Sequence, residues 1–107
     1  IRAVFEDEFW PDGVLCFDDT MATVLYSILQ EKGLQPGKDV KIVGHDDSNL
    51  CNILSVSLSS VSLRAMEMGK EAITMLMGLI DGSADTDSFR LIHPQLVVRN
   101  STDGTTN

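Results

Sequence analysis

Val14-Leu15-Cys16-Phe17-Asp18-Asp19 sets a continuous apolar run directly before an acidic pair, behind the break Pro11-Asp12-Gly13. An unbroken apolar run of this length predicts a strand buried on both faces, as in a parallel sheet. Asp18 or Asp19 can cap a following helix, because a carboxylate accepts orphan backbone N–H groups and favours the positive end of the helix dipole. Met21, Val24, Leu25, Ile28 and Leu29 recur at helical spacing and Gly33 supplies a stop, which places the helix over residues 20–32.

Outward from that unit, the Pro36-Gly37 turn leads to Val40-Lys41-Ile42-Val43-Gly44, a β-branched run that ends at His45-Asp46-Asp47. Strand, helix and strand over this span make a βαβ unit, hence a parallel sheet. Residues 50–54 can form one helical turn, and Leu58-Ser59-Ser60-Val61 a third strand. A second helix is expected over 64–81, where Ala65, Met68, Ala72, Leu76 and Leu79 share a stripe and Gly82 is the cap. Close packing is expected at its glycines, Gly69 and Gly78. Residues 83–88 form a polar loop. Extended structure resumes over 89–99, an edge or irregular strand because it contains Pro94. Residues 100–107 carry almost no apolar content and are expected to fray. Three or four strands and two good helices are few for a doubly wound domain.

At 107 residues the chain has room for one core. Its 43% apolar and 22% charged residues exclude a disordered tail or a fibrous repeat. The formal charge of −8 opposes direct binding of this segment to a phosphate backbone. Cys16 and Cys51 lie far apart without metal-ligand spacing, so they read as two buried thiols. The apolar stretch 72–80 is too short to cross a bilayer. No signal-peptide pattern opens the chain, and the start at Ile1 implies that the numbering begins inside a longer polypeptide. The methionines all fall in expected helices, where they fill a core.

The two acidic strand ends hold the chemistry. In open α/β sheets ligands bind beyond the carboxyl ends of the strands, so Asp18, Asp19, His45, Asp46 and Asp47 can converge on one crevice. Helix capping and turn formation account for these residues without any ligand. A hard-cation site of a phosphatase or receiver type needs several oxygen ligands, which the doublets could supply, but neither an Asp-x-Asp motif nor a glycine-rich phosphate loop accompanies them. Alternatively, the carboxylates accept hydrogen bonds from a polyol. His45 lacks a Ser or Cys nucleophile to partner it, and His93 has still less support as a catalyst. Asn100-Ser101-Thr102 fits a glycosylation acceptor but stands without secretory context.

The order of motifs adds to this reading. Residues 11–22, Pro-Asp-Gly-Val-Leu-Cys-Phe-Asp-Asp-Thr-Met-Ala, resemble the P-D-A-hydrophobic-hydrophobic-x-x-N-D-x-M-A segment of lactose repressor/galactose repressor family regulators. Residues 40–47 resemble that family's D-V-S-V-V-G-F/Y-D-D, Leu58 to Val61 its L-T-T-V, and Glu67-Met68-Gly69 its E-M-G. Residues 96–102 are similar to its closing L-V-V-R-E-S-T. The resemblance implies a periplasmic-binding-protein-like (type I) α/β sensor of two lobes around a small effector, of which this chain is the C-terminal portion. Residues 11–61 would lie in the C-terminal lobe, 64–81 would form a crossover helix, 89–99 a returning strand and 100–107 a tail.

By the same resemblance the effector-binding candidates are Asp46, which matches the family's hydroxyl-binding Asp, with Asp18, Asp19, His45, Leu63 and Ala65. Asp18 replaces the family's usual Asn, which leaves acceptors only and favours hydroxyl-rich ligands. His45 replaces an aromatic, and Leu63 and Ala65 are apolar where several members carry a polar residue and an aromatic. Lobe pairing in the family maps to Thr23, Ser27, Leu50, Ile53 and Leu54, so a homodimer is expected. The function implied is sensing of a sugar-like small-molecule effector, with dimerisation, in a cytoplasmic, non-enzymatic bacterial transcriptional regulator without cofactor or metal. Operator DNA would be reached through a helix-turn-helix or winged-helix headpiece outside these residues. A periplasmic sugar-binding protein of a transport system is the alternative, and a magnesium-dependent phosphoryl-transfer enzyme or receiver using Asp18, Asp19 and Asp46 a more distant one.

Overall fold

The computed structural model describes residues 1–6 and 10–103; Phe9 and the last four residues of the expected tail lie outside that set. The chain divides into two units, residues 1–62 with 96–107, and residues 63–95. In the first, a single turn of 3-10 helix at Arg2–Phe5 brings Phe5 into the core. Strand β1 follows at Gly13–Leu15, helix α1 at Asp19–Glu31, strand β2 at Lys41–His45, helix α2 at Leu50–Ile53 and strand β3 at Ser59–Ser62. Strand β4, Gln95–Val97, lies beside β3, and the short helix α4, Asn100–Asp103, closes the unit. The sheet order is β1-β2-β3-β4. Val14 pairs with Ile42 and Gly44 with Ser60, both in parallel register. The expected βαβ unit and third strand are therefore present.

Helix α1 has the termini its sequence calls for. Asp18 is the N-cap, its Oδ1 accepting the Met21 N–H at 2.6 Å. At the other end Gly33 takes φ +71°, the Gly33 N–H donates to Gln30 O and the Leu34 N–H to Leu29 O. This reciprocal pair uses carbonyls that the helix end leaves orphaned, and the left-handed residue it needs is a glycine. Leu25, Leu29, Ile42 and Leu58 are fully buried, and burial of each contributes roughly 1.5–3 kcal/mol.

Three expectations are corrected. The strand at residues 14–17 is shorter, Gly13–Leu15, and is not buried on both faces: Leu15 is 73% and Phe17 86% exposed. β1 is an edge of this sheet, and only the face with Val14 and Cys16 joins the core. The returning strand expected over 89–99 contracts to Gln95–Val97, beginning just after Pro94, whose nitrogen has no hydrogen to give a ladder. The expected fraying does not extend to residues 100–103, which are helical with Ser101 fully buried.

In the second unit, helix α3 spans Ala65–Asp81, one residue inside the expected start, and ends on Gly82 at φ +77°. Its N-terminal neighbour Arg64 has φ +54° and pairs with Glu67. No residue of α3 is buried, and Met66, Ile73, Leu76, Met77 and Ile80 are all exposed, so the expected core-filling role of the methionines is not met by this chain. Gly78 is close-packed as expected, since a β-carbon there would stand 2.9 Å from Ala84 Cβ, whereas Gly69 faces open space.

Candidate functional site

At the carboxyl ends of β1 and β2, Leu15, Cys16, Phe17, Asp18, His45 and Asp46 line a hollow of about 590 Å³. The alternation along β1 turns Leu15 and Phe17 away from the core face, so an aromatic ring and an aliphatic side chain stand beside two carboxylates. Asp18 gives one oxygen to its helix cap. His45 Nδ1 and Asp46 Oδ1 are 3.0 Å apart, and the Asp46 side chain is 55% exposed. Among the described residues, no Lys or Arg lines the hollow. Its polar side chains are thus hydrogen-bond acceptors and one imidazole, suited to a ligand rich in O–H or N–H donors. Among the described residues no group of three or more His, Cys, Asp or Glu is placed to hold a metal ion.

Asp19 belongs to a different constellation. It is 2% exposed, and its carboxylate is occupied from three sides. Ser60 Oγ donates to Oδ1 at 2.7 Å, while the Ser48 N–H at 2.7 Å and the Cys51 thiol at 3.3 Å donate to Oδ2. Burial alone would raise its pKa, but these hydrogen bonds outweigh burial and hold the carboxyl below the ordinary value of 3.8. The Cys51 thiol is pushed up to about 11 by burial and then by the neighbouring Asp19 charge. Burial, with Asp18 and Asp19 nearby, likewise raises Cys16. The cap expected of Asp18 or Asp19 falls to Asp18, and Asp19 faces the interior rather than the hollow.

The rest of the second acidic strand end is also committed. Asp46 and Asp47 both have left-handed backbones, φ +99° and +53°. The Asp46 N–H donates to Val61 O at 2.9 Å and the Asp47 N–H to Ser60 Oγ at 3.0 Å. Asp47 Oδ1 accepts from Arg99 Nη2 at 2.7 Å, and Arg99 Nη1 donates to Leu58 O at 2.9 Å. Beside this, Ser101 Oγ donates to Ile42 O at 2.6 Å and accepts the Ser59 N–H at 2.8 Å. Sequence reasoning gave Arg99, Ser60 and Ser101 no role beyond the motifs that hold them. Ser59 and Ser60, set between Leu58 and Val61 in a run that reads as a strand, were the available signal, because a buried hydroxyl requires partners.

Asp18, His45 and Asp46 are therefore brought together. Leu63 and Ala65 belong to the second unit, Leu63 before α3 and Ala65 as its first residue, both exposed. Of the residues expected to pair lobes, Thr23, Ser27 and Leu54 line one groove of about 790 Å³ together with Val24, Tyr26 and Val56. Leu50 and Ile53 lie on α2, with Ile53 74% exposed. The hydroxyls of Thr23 and Ser27 are turned back onto carbonyls of α1 itself, and Tyr26 donates to Val56 O at 2.9 Å.

Comparison with known proteins places this geometry. Residues 2–102 match the family described as "Periplasmic binding protein-like domain". The HTH-type transcriptional repressor PurR of Vibrio atlanticus (strain LGP32) is 34% identical over 98 residues, 92% of this chain and 29% of the relative. A LacI family transcriptional regulator from Arthrobacter sp. FB24, solved in complex with lactose, is 33% identical with a TM-score of 0.78, covering 86% of this chain and 35% of that one. The dimeric Lac repressor with an 11-residue C-terminal deletion is 27% identical with a TM-score of 0.79, covering 86% and 34%. The chain spans less than a third of the length of the curated relative it matches.

Proposed function

The chain belongs to the periplasmic-binding-protein-like domain family, and from that premise we propose that it is the C-terminal part of the effector-sensing domain of a bacterial transcriptional regulator. In this reading residues 11–61 belong to one lobe, α3 crosses to a second lobe and β4 returns from it. The effector is a neutral, hydroxyl-rich small molecule of the sugar class, and no reaction is performed on it. Operator DNA is contacted by a headpiece outside these residues, in the cytoplasm.

The observation that supports this most is the hollow itself: Asp18, His45 and Asp46 stand at adjacent strand ends beside the exposed Phe17 ring. Carboxylates accept paired hydroxyls with fixed direction, and an aromatic face covers the C–H side of a sugar ring. With two carboxylates and no Lys or Arg among the described lining residues, a phosphate ester is repelled. The relatives are named as repressors, which favours a regulator over a transport protein.

Titration of the intact regulator with lactose and a panel of neutral mono- and disaccharides tests the assignment. A charge-assisted hydrogen bond contributes about 1.5–3 kcal/mol, so Asp46→Ala should weaken binding roughly ten- to hundredfold while the protein stays folded. Unchanged affinity in a folded Asp46→Ala protein removes Asp46 from the site. Phosphate esters of a sugar that binds should bind more weakly than the parent sugar.

The groove lined by Thr23, Ser27 and Leu54 supports pairing with a second copy. Its rim carries Val24, exposed on α1, and the nearby α2 presents Ile53; apolar groups of this kind at a concave surface suit a two-fold interface.

A further inference from the structure

We infer that Arg99, Ser60 and Asp19 are positioning residues of the effector hollow, acting through a clamp on residues 46–48 that holds the Asp46 carboxylate at the strand end. This inference rests on the proposed role of Asp46 and adds residues that never touch the hollow. A non-glycine residue at φ +99° followed by one at +53° is an unfavourable backbone, which persists only where surrounding contacts over-determine it.

Those contacts are all present, and they come from distant parts of the chain. Each of three successive N–H groups has a partner: Asp46 donates to Val61 O, Asp47 to Ser60 Oγ and Ser48 to Asp19 Oδ2. The Ser60 hydroxyl hands its own proton to Asp19 Oδ1, so its lone pairs are left for Asp47. Arg99 closes the clamp from 52 residues away, with one nitrogen on Asp47 and another on Leu58 O. The Arg99–Asp47 pair is mostly shielded, its side chains 17% and 22% exposed. Within this frame the Asp46 side chain is left outside the clamp and in the hollow, beside His45. An ordinary extended or helical backbone at positions 46 and 47 would redirect it.

Arg99→Lys keeps the charge but cannot present two diverging donors in a plane, so it separates clamping from charge. In the intact regulator, amide hydrogen exchange is measured on the parent and the variant, without ligand. The expected result is selective loss of protection at the amides of Asp46, Asp47 and Ser48, by about tenfold or more, with the β1–β2 ladder amides Lys41 and Val43 unchanged. Loss across loop and ladder together, or no loss in the loop, overturns the clamp. If Arg99→Lys does not fold, Asp47→Ser opens the same pair from its loop side, with the same two readings. Titration with the sugar that binds the parent then tests positioning: about tenfold weaker binding at an unchanged melting temperature is expected, and equal affinity overturns it. If the parent binds none of the neutral sugars, the effector reading fails while the exchange result still decides the clamp.

Discussion

At position 44 a β-carbon would stand 2.2 Å from Asp19 Oδ1 and 2.9 Å from Leu58 Cδ2. The glycine is there for space, because the Asp19 carboxylate lies against β2 at this point and bonds Ser60 on β3. Gly44→Ala should therefore cost about 1–3 kcal/mol, as overpacking does elsewhere, and denaturant unfolding measures it. Asp19 also makes stability depend on pH. Its folded pKa lies below 3.8, so its contribution is complete above that ordinary value and is lost as pH falls through the depressed folded value. Asp19→Asn should lower stability at neutral pH, since the amide turns a donor toward groups that already donate, and should flatten the acid limb of the stability curve. A variant with an unchanged acid limb would show that other carboxylates govern it. The sequence offered capping or ligand contact for Asp19, and its real role was hidden because its partners lie 29–41 residues further along. For Asp18 the local signal sufficed, since a cap is made three residues away.

Helices α1 and α3 were legible because apolar spacing and terminal glycines are local properties, and both came within a residue or so of their expected bounds. Element α4 was not legible. Asn100-Ser101-Thr102-Asp103 reads as polar tail, yet its order comes from hydroxyls that meet strand backbones: Ser101 bridges Ile42 O and the Ser59 N–H, and Arg99 N–H donates to Ser59 Oγ at 2.7 Å. Composition records polarity but not whether a partner awaits it. Ser101→Ala leaves a fully buried N–H and carbonyl unsatisfied, and should destabilise the fold by about 1–3 kcal/mol. The control is Ser88→Ala, an exposed turn residue, expected within about 0.5 kcal/mol of the parent. Equal effects in thermal melts would deny α4 its structural role. Residue 37 carries the same message: it has φ +79°, and a β-carbon there would meet Asn100 O at 2.4 Å.

For the molecule as a whole, the ordered run of motifs along the chain was more informative than any one of them, and the family assignment followed it. Composition excluded a disordered tail or a fibrous repeat, and the charge of −8 opposed direct DNA contact by this segment, but neither pointed to a family. Among the described residues, the groove beside Leu54 and helix α3 both present apolar side chains to solvent. The chain should self-associate, burying ~800 Å² per partner if the interface is of ordinary size. Sedimentation of the parent, Leu54→Asp and Leu76→Asp identifies the surface that carries the contact, and a parent that stays monomeric at high micromolar concentration defeats the prediction. The Ser59–Ser101 bond has a further consequence at the ribosome. Its two ends are synthesised 42 residues apart, which at about 5–20 residues per second is an interval of about 2–8 s. Until then the β2–β3 ladder lacks this bridge, and until β4 is made just before it the nascent chain carries an open sheet edge at β3, a period when chaperone capture or pairing with a neighbouring nascent chain competes with completion. Slow codons across residues 60–101 should therefore lower the folded fraction without altering a single contact in the finished protein, and equal soluble yields from fast- and slow-codon genes would refute this.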